Sequence, residues 1–120
     1  MKHSVRRLHH YLADILQALQ RIEKYVRDMQ DEDFLVSDLV QDAVVRNFEV
    51  IGEASKHILQ RFPDFVTAHP ELPLASAYEM RNFVAHGYQQ VDYEVVWNTV
   101  KNELPALGQQ VRACLQEFPA

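Results

Sequence analysis

The sequence predicts an all-α protein, a four-to-five-helix bundle that forms a single domain over residues 1–120. Apolar residues recur at alternating steps of three and four, which is the spacing of one face of an amphipathic helix. No segment shows the alternation that is typical of a strand. The chain has only three glycines and five prolines, and no linker-like stretch divides it. We therefore expect two long helices, a short third helix and a kinked C-terminal helix, packed as a bundle.

A long amphipathic helix is the first element that the pattern predicts. Two aspartates, Asp31 and Asp33, interrupt the pattern and mark the end of this helix. The stripe is wide enough to bury one side of the helix against the rest of the protein. It consists of Leu8, Leu12, Ile15, Leu19, Ile22, Val26 and Met29.

A second long helix is expected to begin near Ser37 or Asp38, since either side chain can cap exposed backbone N–H groups. Asp38 with Gln41 also fits a capping box. Pro63 should stop the helix. Gly52 lies inside it at a cost in helix propensity, so we expect close packing against a neighbour at this position. The apolar stripe consists of Val40, Val44, Ile51, Ala54, Ile58 and Phe62.

The short third helix is predicted from turn and capping signals. Residues 63–75 contain three prolines and predict an irregular connection. Ser76 with Glu79 has the form of a capping box, so the third helix should start at Ala77. Gly87 is well placed to end it, because glycine readily takes the left-handed conformation after a helix.

The C-terminal helix is predicted to begin after Asp92, whose side chain can cap it. Pro105 should kink this helix or split it, because proline removes a backbone donor and clashes with the preceding turn. The stripe along its buried side consists of Val96, Val100, Leu104, Leu107, Val111, Leu115 and Phe118.

Composition limits the classes of function. A net charge of −5 argues against a protein that coats nucleic acid non-specifically, whereas an enzyme needs only a local basic patch. We find neither the apolar block of a signal peptide nor an apolar run of membrane-spanning length. The single cysteine, Cys114, offers no internal disulfide and no metal-ligand spacing, and we expect it to be a small buried residue. The cytoplasm is the expected compartment.

Arg81, His86 and Tyr88 form the pattern Arg-x4-His-x-Tyr at the end of the predicted third helix. Five steps of about 100° place Arg81 and His86 roughly 140° apart on an ideal helix. The two side chains therefore converge only if the helix end deviates or if a second copy approaches. Gly87 allows the first, because the chain can turn immediately after His86.

The Arg81–His86 pair suits cleavage of a phosphodiester by the 2′-hydroxyl of the RNA itself. An imidazole can take or give a proton near neutral pH. A guanidinium can hold a phosphate and stabilise charge that grows in the transition state. Such a reaction needs neither a metal nor a cofactor, and we expect none. It does benefit from both a base and an acid, and a symmetric homodimer would supply two histidines.

The segment resembles the Arg-x4-His-x-Tyr signature of the HepT branch of the HEPN superfamily. The flanks extend the resemblance over the whole order of elements, through residues 45–54, 91–97 and 102–107. Leu74 departs from the family, which typically has Trp after Pro at this place. We expect that difference to alter the packing of the loop only.

The resemblance implies a dimeric, metal-independent endoribonuclease toxin with an MntA-like nucleotidyltransferase as its antitoxin. It implies that Arg81 binds the scissile phosphate, that His86 is the acid and base, and that Asn82 helps to orient them. Tyr88 matches the tyrosine that the antitoxin adenylylates. Attached AMP groups would add bulk and negative charge where RNA phosphate must lie.

Other interpretations of the sequence stay open. The protein could instead be a non-catalytic helical module that binds nucleotides or serves as the accessory subunit of the transferase. Adjacent His9 and His10 point about 100° apart and make a poor metal pair, and His57 and His69 have no ligand spacing around them. We expect these histidines to be structural. Glu49 and Glu53 are expected to have a structural or interface role, and Arg46 is expected either to pair with Glu49 or simply to support the bundle.

Overall fold

Helices occupy most of the chain in a computed structural model that describes residues 2–83 and 91–118, with the side chains of residues 5–82 and 91–118. These ranges contain no strand, so the all-α prediction is confirmed. In chain order the helices are α1 (Lys2–Val26), α2 (Asp31–Leu35), α3 (Asp38–Arg61), α4 (Pro63–Ala68), α5 (Leu74–Glu79), a 3-10 helix (Met80–Phe83), α6 (Tyr93–Asn102) and α7 (Leu104–Glu117).

The core is built on the two longest helices, α1 and α3, which pack against each other along their predicted apolar stripes. α7 closes the other side of α1, and α5 with the 3-10 helix lies on α3. Burial of these side chains from water is the main favourable term in folding. The fully buried large side chains include Leu12, Ile15, Ile22, Phe34, Val44, Phe48, Ile51, Ile58, Val96, Leu107 and Val111.

Two of the predicted helix caps are confirmed. The Ser37 hydroxyl accepts a hydrogen bond from the backbone N–H of Val40 at 3.3 Å and begins α3. Asp92 accepts from the N–H groups of Glu94 at 3.1 Å and Val95 at 3.2 Å and begins α6. Each cap satisfies backbone donors that have no partner within the helix.

The alternative capping box that pairs Asp38 with Gln41 is not formed. Asp38 is already the first residue of α3. The Gln41 amide instead donates to the carbonyl oxygen of Phe34 at 3.0 Å and is buried there. Gln41 therefore fixes the chain that enters α3, because a buried amide is stable only when it is hydrogen-bonded.

Two short helices, α2 and α4, were not predicted from the sequence. The first helix ends at Val26, before Met29 of its predicted stripe, and Asp31 and Asp33 lie in the first turn of α2, where acidic side chains interact favourably with the helix dipole. Pro63 stops α3 and also starts α4, since proline is well tolerated in the first turn of a helix. Both helices are held by a buried aromatic residue, Phe34 in α2 and Phe65 in α4.

The start of the third predicted helix was wrong by one turn. α5 begins at Leu74 rather than Ala77, and its cap position is Pro73, so the Ser76 capping box is not formed. Leu74 and Ala77 are both buried, and this packing against α3 outweighs the capping signal. At the C-terminal side, Pro105 splits the predicted helix into α6 and α7, one of the two expected outcomes.

Candidate active site around Arg81

Arg81 is positioned by a close approach between the 3-10 helix and α3. At Gly52 of α3 a Cβ atom would lie 2.8 Å from the Cβ of Arg81, 3.0 Å from its backbone nitrogen and 3.1 Å from the carbonyl oxygen of Tyr78. Only a residue without a side chain fits at such distances. The predicted close packing at Gly52 is confirmed, and the neighbour is the motif-bearing segment itself.

The Arg81 side chain lies along α3 and is 32% exposed. Its Nη1 is 3.3 Å from Oε1 of Glu53, and the guanidinium carbon is 5.6 Å from the centroid of the Tyr78 ring. A half-exposed ion pair of this kind contributes little stability, on the order of 1 kcal/mol or less. Its effect is to hold the guanidinium in one place.

The guanidinium faces an open groove of about 570 Å³ between α1, α3 and the 3-10 helix. An aromatic pair forms part of its wall: Tyr11 of α1 stacks on His57 of α3, with ring centroids 5.1 Å apart and planes inclined by 20°. The Tyr11 hydroxyl accepts a hydrogen bond from Arg61 at 2.9 Å. The groove is lined by Tyr11, Asp14, Arg46, Glu49, Val50, Glu53, Ala54, His57 and Arg81.

Both arginines of the groove have a carboxylate partner. Arg46 donates to Glu49 at 3.1 Å, one of the two roles expected of it, and Arg81 pairs with Glu53. Asp14 adds a third acid to the wall. An anion that enters the groove competes with these carboxylates for the two arginines, and it gains charge-assisted hydrogen bonds to guanidinium donors.

Asn82 is adjacent to Arg81 in sequence, but its side chain lies on another side of the molecule. It is exposed and lines a separate cavity of about 320 Å³ with Ser76, Glu79, Met80, Thr99 and Glu103. Within one chain, the fold thus does not bring Asn82 and Arg81 to a common groove. His86 and Tyr88 lie outside the described residues.

The aromatic pair beside Arg81 was not found by sequence reasoning. Tyr11 was not singled out, and His57 was expected to be structural. His57 Nδ1 is buried, and within the described part of the chain it has no hydrogen-bond partner. The two residues are 46 positions apart and meet only because α1 and α3 pack with these faces together. No spacing rule along the chain reports such a contact.

Two other predicted residue roles can be compared with the structure. His9 is structural as expected, since its Nδ1 is 2.9 Å from the carbonyl oxygen of Phe118. Cys114 is buried, with 2% of its surface exposed. Burial, assisted by the nearby charges of Glu71 and Glu117, raises the pKa of its thiol to about 11, so it is a poor nucleophile at neutral pH.

The protein is a helical bundle in which Arg81 lies at an open polar groove. Gly52 of α3 packs directly behind this arginine. The sequence profile of the family described as "Ribonuclease HepT-like" matches residues 15–114. The chain belongs to this family, within the HEPN superfamily.

Several relatives are similar to the chain over most of its length. The chain is 44% identical to "Probable ribonuclease HepT" of Thermococcus cleftensis, over 81% of its own length and 86% of that protein. It is 34% identical to a candidate RNase of Caldanaerobacter subterraneus subsp. tengcongensis, over 89% of its length and 93% of the relative. No solved structure matches the chain significantly.

A third relative is a longer protein. The chain is 34% identical to a protein of Methanocaldococcus jannaschii named as a gamma-glutamylcyclotransferase and candidate RNase, over 90% of its own length and 47% of that protein. The expected class, a HEPN-type ribonuclease of the HepT group, is confirmed at the level of the family. Among the described helices, none is sufficiently long and apolar to cross a membrane.

Proposed function

We propose that this protein is a metal-independent endoribonuclease whose active site forms where two copies of the Arg81–His86 motif meet in a homodimer. Two observations support the proposal. The family match includes the whole motif, and the fold presents Arg81 at an open groove while leaving it tethered to a half-exposed carboxylate.

In the proposed reaction the 2′-hydroxyl of the RNA attacks the adjacent phosphorus atom. His86 of one protomer takes the hydroxyl proton, and the second His86 gives a proton to the departing 5′-oxygen. The products are a 2′,3′-cyclic phosphate and a free 5′-hydroxyl, so protons and bonds balance. Arg81 stabilises the extra negative charge on the phosphoryl oxygens as the bond to the 5′-oxygen breaks.

Glu53 is proposed to keep the place of the phosphate while the site is empty. Its carboxylate oxygen lies 3.3 Å from Arg81 Nη1 and is itself half-exposed. Because a phosphate offers the guanidinium two parallel hydrogen bonds, it can replace the carboxylate at small cost. Asn82 opens away from this groove, so we assign its orienting role to the motif of the second copy rather than to its own Arg81.

The groove beside Arg81 is suited to the nucleotides that flank the scissile bond. The Tyr11–His57 pair offers an aromatic face, and stacking of a base on such a face contributes about 1–3 kcal/mol. Arg46 supplies a second cation for the RNA backbone, with 71% of its side chain exposed. These local basic groups can therefore bind RNA phosphates although the net charge of the chain is negative.

The family resemblance extends the proposal to regulation. We propose that the protein is the toxin of a toxin–antitoxin pair in the cytoplasm, and that an MntA-like nucleotidyltransferase attaches AMP to Tyr88. The physical support is that each AMP adds negative charge and bulk two residues from His86, where RNA phosphate must bind. This modification is tested by incubating the protein with the transferase and ATP and measuring its mass, with Tyr88→Phe as the control that should stay unmodified.

The proposed activity is tested by cleavage of single-stranded RNA and transfer RNA in EDTA, at matched dimer content. Wild type should cut, whereas His86→Ala should lose roughly a hundredfold or more of the rate. His10→Ala is the matched control, because His10 is an exposed histidine of α1, and it should retain full activity. Equal cleavage by all three proteins, or none by any, would contradict the enzyme and favour a non-catalytic accessory subunit of the transferase.

A further inference from the structure

A second cluster of reactive side chains lies where the turn after α4 meets the last turns of α7. His69 follows α4, Glu71 lies two residues further on, and Cys114 and Glu117 are on consecutive turns of α7. One ligand atom from each of His69, Glu71 and Cys114 lies within 4.8 Å of the others. None of these residues lines the groove beside Arg81, so the cluster is separate from the proposed ribonuclease site.

We propose that this cluster binds a zinc-type divalent cation through the imidazole of His69, the carboxylate of Glu71 and the thiolate of Cys114, with Glu117 as the fourth ligand. Nitrogen, sulfur and oxygen donors in this combination suit Zn²⁺. Four protein ligands would close the coordination sphere, which is the form of a structural site. No ligand spacing is visible along the chain, because the donors come from two segments that meet only in the fold.

The His69 ring already directs Nε2, the nitrogen that a metal would bind, into the cluster. Its Nδ1 is 3.0 Å from the carbonyl oxygen of Phe65. A carbonyl can only accept, so Nδ1 carries a hydrogen. Nε2 faces the Glu117 carboxylate, and although burial lowers the pKa of the ring, the contacts with Phe65 and Glu117 raise it more. A metal therefore replaces the proton on Nε2, and that proton leaves to solvent. Metal-binding histidines commonly have this second hydrogen bond to a carbonyl.

Packing also fixes the orientation of the ring. His69 stacks on Phe65 with centroids 4.3 Å apart and meets Phe118 edge-on at 5.6 Å, and its side chain is 11% exposed. Nε2 points toward α7, where it lies 3.3 Å from Oε2 of Glu117. A ligand that cannot rotate loses little conformational entropy when the metal binds.

The charges of the cluster favour a cation. Two carboxylates, Glu71 and Glu117, lie beside a buried thiol, and both raise the pKa of Cys114 in addition to the effect of burial. A divalent ion reverses this balance: it binds the thiolate and both carboxylates, and the thiol proton leaves to solvent. The ion then joins α7 to the segment after α4, two parts that are 45 positions apart at His69 and Cys114.

The distances require a small closure of the cluster. Zinc ligands lie about 2.0–2.3 Å from the ion, so their atoms are roughly 3.5 Å apart in a tetrahedral site. The present separations among His69, Glu71 and Cys114, which reach 4.8 Å, therefore have to shorten by about 1 Å. Glu117 is outside this group and lies 3.3 Å from His69 Nε2, so its side chain has to turn toward Cys114 to become the fourth ligand. Glu71 is exposed and can make this movement by rotating its side chain.

The test is titration of the metal-free protein with Zn²⁺ alone, by calorimetry and thermal melting. We expect one equivalent per chain and a melting temperature that rises by roughly 5–15 °C at saturation. Co²⁺ in place of Zn²⁺ should give the charge-transfer absorption of a cobalt–thiolate bond. Glu71→Gln is the decisive variant because the Glu71 side chain is exposed, so the substitution should leave the fold unchanged. The affinity of this variant for Zn²⁺ should fall at least tenfold.

The controls separate this site from binding to other surface groups. Glu32→Gln changes an exposed glutamate of α2 and should bind Zn²⁺ as wild type does. Cys114→Ser should abolish the cobalt–thiolate absorption. Absence of Zn²⁺ binding by wild type, or unchanged affinity in Glu71→Gln, would overturn the proposal and leave the cluster as a His69–Glu117 ion pair. RNA cleavage in EDTA is expected in either case.

Discussion

At the scale of single residues, the position of Arg81 depends on the absence of a side chain at Gly52. The motif and the tight packing at Gly52 could both be predicted from the sequence, because a glycine inside a helix has a cost that close packing explains. The partner of Arg81, Glu53, was expected to be structural or to lie in an interface. The Tyr11–His57 stack could not be predicted, since it depends on how α1 and α3 are rotated about their axes.

Gly52→Ala should disturb the site and the fold together. The added methyl group would meet backbone and Cβ atoms at 2.8–3.1 Å, and we expect a loss of about 1–3 kcal/mol in the free energy of unfolding. RNA cleavage should fall because Arg81 must move. Both are measured by denaturant unfolding and by the cleavage assay.

Gly108→Ala is the matched control for that substitution. There the added Cβ would lie 3.5 Å from Nη1 of Arg112 and 3.9 Å from Cδ1 of Leu19, which are ordinary contacts. Since alanine is the better helix former, stability should be unchanged or should rise by up to about 1 kcal/mol. An equal loss in both variants would show that helix glycines in general, and not the approach to Arg81, set the effect.

Arg81→Ala should separate catalysis from stability. The ion pair with Glu53 is half-exposed, so unfolding free energy should change by on the order of 1 kcal/mol or less. The rate of RNA cleavage should fall about 100-fold or more, because a group that stabilises the transition state is lost. Arg21→Ala, at an exposed arginine of α1, should cleave as wild type; a similar loss there would point to general charge effects.

At the scale of helices, apolar periodicity and caps were sufficient to predict α1, α3, α6 and α7. The short helices were not predictable in the same way. α2 and α4 have five and six residues, too few for a periodic pattern, and isolated helices of this length are not stable in water. They form because Phe34 and Phe65 are buried, which is a property of the whole fold.

Asp92→Ala tests the cap that begins α6. Losing the two hydrogen bonds to Glu94 and Val95 should reduce the free energy of unfolding by about 1 kcal/mol, within a range of roughly 0.5–2. Asp92→Asn is the control, because asparagine caps nearly as well. Thermal or urea unfolding of both variants measures the difference. If alanine and asparagine were equivalent, the carboxylate bonds would not contribute to stability.

At the scale of the whole molecule, one chain presents only part of the proposed site. Arg81 faces the groove with α1, whereas Asn82 faces the cavity near α6. Two neighbouring residues of the motif thus lie on two different surfaces. The single histidine of the motif supplies only one proton-transfer group. A second copy is the simplest way to complete the reaction.

Activity should therefore depend on protein concentration. Below the dissociation constant of the dimer, cleavage per chain should fall in proportion to the fraction of dimer, as measured by sedimentation on the same samples. The physical reason is that a monomer has one His86, whereas the proposed reaction uses two. Constant activity per chain through the range where monomers predominate would place the complete site within one chain.

The contact at Gly52 has a consequence for how this ribonuclease can be controlled. Since not even a methyl group fits between α3 and the segment that carries Arg81, the backbone at Arg81 has no room to move closer to the core helix in the folded protein. Control of the proposed activity is therefore expected to act on the access of RNA to the arginine, and a chemical group added at the rim of the site would block that access.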